Sequence, residues 1–99
     1  SIIPQQALAL ANSKLAQEQS RLLAGKLWKA TGKEAVFITA VFEQLLTRPP
    51  KSGEAKLCRD FMEKQTDLFK GNKITNPAQR ARESLVHSLF SHNDFITIR

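Results

Sequence analysis

The chain has 99 residues, enough for one modest hydrophobic core and not for two. Lys and Arg number 15 against 9 Asp and Glu, a formal net charge of +6, with 41% of residues hydrophobic and 24% charged. That balance is close to an ordinary folded domain and argues against a disordered chain. A single cysteine excludes an internal disulfide framework, and with only two histidines it also excludes a zinc ribbon or finger.

No apolar run approaches the eighteen or so residues of a membrane span; the longest, Ala35 to Phe42, is broken by Thr39. The opening Ser1-Ile2-Ile3-Pro4 has neither the basic start nor the long apolar stretch of a signal peptide. It reads as a cut from a longer protein. One unpartnered thiol fits either redox compartment.

Helical spacing recurs along the whole chain. Pro4 suits a first helical position, and Gln5 to Ala11 follows as a short Ala/Leu helix. Asn12 or Ser13 interrupts it and offers a cap for the next segment. That segment, about 14–30, sets Leu15, Leu22, Leu23, Leu27 and Ala30 along one face. Lys26 and Lys29 lie in its last turns and Gly32 supplies the stop. Gly25 inside it predicts close approach by another helix. Thr31-Gly32-Lys33-Glu34 has capping-box spacing and opens a helix over about 34–47, with Ile38, Val41, Phe42, Leu45 and Leu46 on one face. Pro49-Pro50 ends it, because Pro49 drives Arg48 out of helical geometry.

Ser52 is placed to cap the fourth helix, with Glu54 in its first turn and Leu57, Cys58, Phe61, Met62, Leu68 and Phe69 as the buried stripe. Gly71 stops it, and residues 71–76 form a loop. Asn76-Pro77 then starts a fifth helix over about 77–91, with Ala78, Ala81, Leu85, Val86, Leu89 and Phe90 turned inward. Ser91-His92-Asn93-Asp94 reads as a polar stop and Phe95-Ile96-Thr97-Ile98 as a short extended tail. One strand without a partner makes no sheet. The expected fold is all-α: a compact bundle of about five amphipathic helices with a short extended C-terminal tail, one domain over 1–99.

The basic balance raises the question of polyanion binding. Lys26, Lys29 and Lys33 recur at helical spacing, and Arg80 and Arg82 lie near a helix start. Acids are interspersed, and the Phe residues follow core spacing instead of forming a stacking platform, so a solvated face is the preferred reading. His87 and His92 are five apart and do not share a helix face as a metal pair would; the helix dipole accounts for His92 near a C-terminus. Cys58 falls in an apolar stripe and reads as a small buried hydrophobe. Neither a Cys-x-x-Cys-His haem motif nor a nucleotide, nucleophile-elbow or zinc-protease motif occurs. Arg48, just past a helix end, is the sharpest single residue. Its guanidinium is in reach of the helix's free carbonyls, of Glu43 or of Glu54, which makes it a structural clasp.

Three stretches carry a resemblance together: Pro4-Gln5-Gln6-Ala7-Leu8-Ala9-Leu10-Ala11-Asn12; Phe42-Glu43-Gln44-Leu45-Leu46-Thr47-Arg48-Pro49-Pro50 with Lys51-Ser52-Gly53-Glu54; and Ser88-Leu89-Phe90-Ser91-His92-Asn93-Asp94-Phe95. In this order the chain resembles the C-terminal end of a planctomycete-type family of uncharacterised proteins, in which a cytochrome-c-like domain precedes two domains of unknown function. It departs from the family at Thr47, where glycine is common before the Arg, and at Phe90, where Asn is common before the final Ser. The resemblance implies a long exported parent, periplasmic or at the cell surface, with any haem in the upstream domain; it carries no catalytic residue over to this segment, whose own residues suggest no cofactor or metal site.

The functional expectation is therefore a C-terminal structural or interaction domain, not an enzyme by itself, that packs against the remainder of its parent chain. Ile2, Ile3, Phe95, Ile96 and Ile98 are the expected docking surface. The rivals are a basic nucleic-acid or polyanion-binding module, and a non-autonomous part of a shared active site that would place Arg48 or His92 in a cleft with convergent acids. The sequence leaves the oligomeric state open.

Overall fold

The computed structural model describes the backbone of residues 14–97 and the side chains of residues 14–91. These residues form four helices and no strand: α1 (Lys14–Thr31), α2 (Glu34–Leu46), α3 (Ser52–Gly71) and α4 (Pro77–Thr97). The class is all-α, as the periodicity predicts. The expected helix over 5–11, with Ile2 and Ile3, lies outside the described residues, as do Ile98 and the side chains of His92, Phe95 and Ile96.

α4 runs down the middle, packed against α1, α2 and α3, while α2 also touches α1 and α3. The centre is Phe37, Ile38, Val41 and Val86, all fully buried, with Phe42, Ala24, Cys58, Met62, Ala81 and Leu85 around them. α2 is apolar on more than one face because it meets three other helices. Phe37, one turn before Val41 on the same face, extends the expected stripe and is buried there. It also meets the Trp28 ring edge-on, at 5.7 Å and 75°.

The rotation of α1 differs from expectation. Its inward line is Ala16, Ser20 and Ala24, at i, i+4 and i+8, whereas Leu15 and Leu22 are 60% and 50% exposed. Small side chains let the backbone approach its neighbours closely, and this rotation leaves Leu23, Leu27 and Trp28 half-buried at the edges of the core. The close approach predicted at Gly25 falls instead on Ala24. A Cβ added at Gly25 would meet nothing within 4 Å.

α1 ends as its Gly32 predicts, with φ of +66° and the Gly32 N–H donating to the Trp28 carbonyl at 2.8 Å. The expected capping box does not form, because the Thr31 hydroxyl donates backward to the Leu27 carbonyl at 2.9 Å. Lys33 occupies the N-cap of α2 without a side-chain bond. At the next start Ser52 is already the first helical residue and Lys51 is the N-cap.

α3 buries Cys58 and Met62, with Phe61 and Phe69 half-buried. Leu57 and Leu68, expected inside, are 70% and 56% exposed. Among the described residues α3 touches only α2 and α4, so no described element covers its far side. On α4 Ala81, Leu85 and Val86 are buried, Leu89 and Phe90 half-buried, and Ala78 exposed in the first turn. The polar stop at Ser91-His92-Asn93-Asp94 and the extended tail are corrected: the α4 backbone stays helical to Thr97. None of those residues is Gly or Pro, and the Ser91 hydroxyl donates to the His87 carbonyl at 3.0 Å, so no steric break falls there.

Candidate functional site

The turn between α2 and α3 gathers the most distinctive polar geometry. α2 closes on Thr47 in the left-handed conformation, φ 58° and ψ 26°. A β-branched residue is costly there, since its Cβ crowds the following carbonyl. The Thr47 hydroxyl donates to the Leu46 carbonyl at 2.6 Å, satisfying one of the acceptors that a helix end leaves open. Pro49 and Pro50 then hold the chain extended until α3 begins.

Arg48 is aimed across this turn. Its Nη1 donates to Glu54 Oε1 at 2.7 Å and its Nη2 to Glu54 Oε2 at 2.9 Å, a bidentate pair. Nη1 also donates to the Pro49 carbonyl at 3.2 Å, and the guanidinium carbon stands 5.7 Å from the centre of the Phe42 ring. Glu54 accepts a further bond from the Lys51 N–H at 2.9 Å, so the same carboxylate caps α3. These donors, Arg48 first and the Lys51 amide second, pull the Glu54 carboxyl down to about 2. The guanidinium of Arg48 is correspondingly held above its usual range by Glu54. Glu43, the other expected partner, is exposed and stands outside the pair.

The remaining candidates are dispersed. Cys58 is buried and its thiol is pushed up by burial, then by the Glu54 charge, which keeps the nucleophilic thiolate scarce. As the sole thiol of the chain it offers no pair for covalent haem attachment. No group of three His, Cys, Asp or Glu side chains converges as a metal site among the described residues. Lys26, Lys29 and Lys33 are exposed. Arg80 lies 6.0 Å from the Phe69 ring centre and 4.0 Å from Glu83.

Sequence reasoning missed the partner of Arg82. Its guanidinium carbon sits 3.9 Å from the centre of the Trp28 ring, and burial lowers its affinity for a proton. Stacking spends this cation on the α1–α4 contact. A Trp in the last turn of one helix and an Arg in the second turn of another are unremarkable until the fold puts them face to face.

Two open grooves mark the surface. One, of about 480 Å³, lies between α1, α3 and α4 and is lined by Trp28, Met62, Ala81 and Arg82 with a mixed rim that includes Asp60 and Lys70. The other, of about 660 Å³, is lined by Ser20, Arg21, Phe69, Arg80, Glu83 and His87. Arg48 lines neither groove. The Ser20 hydroxyl is buried without a hydrogen-bond partner among the described residues. No helix is long and apolar enough among the described residues to cross a membrane.

No curated protein and no solved structure matches the chain. Residues 1–62, more than half of the sequence and inclusive of the Arg48–Glu54 turn, match a known protein family; the chain belongs to the PSD1 family of proteins of unknown function (DUF1553).

Proposed function

We propose that this chain is a helical packing and interaction domain of a longer exported protein associated with a cytochrome-c-like domain, and that its task is to dock against the rest of that parent. The single observation that supports this reading is how the reactive-looking groups are spent. Arg48 is engaged by Glu54 and Phe42, Arg82 by Trp28, and Cys58 by the core. Each contributes to holding helices together. In this reading any haem belongs to the upstream domain, and the sequence nominates Ile2, Ile3, Phe95, Ile96 and Ile98 for the contact. The experiment is reconstitution: the 99-residue chain and the remainder of its parent are expressed separately and mixed. A complex that survives gel filtration at about 10 μM is expected, and its loss on Ile2→Asp with Ile3→Asp. Two components that elute independently overturn the reading.

A second reading follows from the exposed Lys26, Lys29 and Lys33, none of which forms an ion pair among the described residues. Here the chain binds a polyanion through counterion release. Titration with duplex and single-stranded oligonucleotides over a salt series separates the two: a steep log–log slope supports this reading, and no binding at low salt removes it.

A further inference from the structure

The face that α3 turns away from the bundle carries two exposed leucines flanked by charges. Leu57 and Leu68 are 70% and 56% exposed and eleven residues apart, just over three full turns, so they point the same way about 16 Å apart along the axis. Among the described residues α3 touches only α2 and α4, and neither covers this side. We propose that this stripe is a self-association surface, and that its occupant is α3 of a second copy of the chain, running antiparallel about a two-fold axis.

Charge sets the direction. In an antiparallel pair centred between Met62 and Glu63, Leu57 of one copy meets Leu68 of the other, and the same happens at the opposite end. The two-fold also brings like flanks together. On the flank beside the leucines, Asp60 then meets Lys64 of the second copy, and Lys56 meets Asp67 of the second copy. Each contact occurs twice, giving four opposite-charge contacts around four leucines. A parallel, in-register pair offers no such match, since each residue then lies level with its own duplicate. Among the described residues the ion pair that now involves these four charges is the exposed Lys56–Asp60 contact at 3.3 Å, so little is lost in exchanging partners. One helix pair covers less than the roughly 800 Å² per partner of a standard stable interface, so the dimer is weak, with a dissociation constant of about 0.1–1 mM. This surface is separate from the docking surface under Proposed function and does not depend on it.

Sedimentation velocity of the 99-residue chain from about 10 μM to 1 mM tests the proposal. The weight-average mass is expected to rise from 11.1 kDa toward twice that value. Leu57→Glu with Leu68→Glu is expected to weaken association by about tenfold or more while the helical circular dichroism is unchanged. Asp60→Lys and Lys64→Asp each set like charges against each other in the homodimer and are expected to be monomeric alone. Mixed one to one they restore both contacts and dimerise. A chain that stays monomeric at 1 mM overturns the proposal and leaves the stripe to a different protein. So does a dimer indifferent to the leucine pair, or two charge variants that fail to rescue each other.

Discussion

The inward face of α1 and the turn between α2 and α3 hold their neighbours by opposite means. On α1 the buried line is Ala16, Ser20 and Ala24, where closeness itself is the interaction and no charge is involved. At the turn almost nothing is buried; Arg48, Glu54 and the Lys51 amide fix the angle between two helices through directed bonds. The difference teaches where each part is vulnerable. A close-packed face fails when volume is added, and a polar clasp fails when charge is removed.

Adding volume at Ala24 is therefore the strongest single way to break the contrast. Ala24→Leu forces three carbon atoms into a position that is now almost wholly buried and is expected to cost about 1–3 kcal/mol, read as a lower urea midpoint with an unchanged slope. If Ala24→Leu is neutral, α1 is not closely seated and the contrast with the turn disappears.

Next in size is the backbone at Thr47. Thr47→Gly relieves a left-handed β-branched residue and is expected to stabilise by about 1 kcal/mol, net of the lost hydroxyl bond to Leu46 and the extra freedom of glycine in the unfolded chain. Thermal unfolding of the two proteins side by side measures it. A destabilised glycine variant would mean that the hydroxyl, not the backbone, governs how α2 ends.

A smaller gain is expected one residue from Ala24. Gly25→Ala introduces a Cβ that meets nothing within 4 Å and removes a helix-interior glycine, for about 0.5–1 kcal/mol of added stability. The neighbouring positions 24 and 25 thus respond with opposite signs, which sharpens the account of how α1 is rotated. A loss at Gly25→Ala would place a neighbour where the fold has open space.

The ends of elements were legible in the sequence where backbone chemistry forces them: Gly32 with its positive φ, Pro49-Pro50 after α2, Pro77 at the start of α4. The Arg48–Glu54 pairing lay within reach because its partners are six residues apart across one turn. The rotation of α1 and α3 was not legible. Leucines at 15, 22, 23 and 27 spread over more than one face, and the residues that decide the seat are alanines and a serine, which carry little apolar signal. Leu57 and Leu68 satisfy the period of a buried stripe, yet among the described residues no helix packs on that side to bury them. The Trp28–Arg82 stack joins residues far apart in the chain and has no local signature. The polar run 91–94 resembles a stop only by composition, and composition without Gly or Pro does not compel one.

The smallest expected effect is the one that most directly isolates the clasp. Arg48 and the Lys51 amide depress the Glu54 carboxyl from its ordinary value of 4.5 to about 2, so the folded chain holds the ionised form more firmly than the unfolded chain does. The associated stability is fully present above the unfolded value and is lost as pH falls from about 4.5 through about 2, where the folded state also takes up the proton. Glu54→Gln has no proton to gain there. Its unfolding midpoint is expected to lie below that of the parent at pH 7 and to converge on it near pH 2, with the gap closing over that acid window. Both groups are solvent-exposed and the gap is correspondingly modest, shrinking further in salt, whereas the penalty of Ala24→Leu involves no charge and stays constant with pH and ionic strength. Two variants whose penalties respond to acid in the same way would show that the turn and the α1 face are not held by different forces.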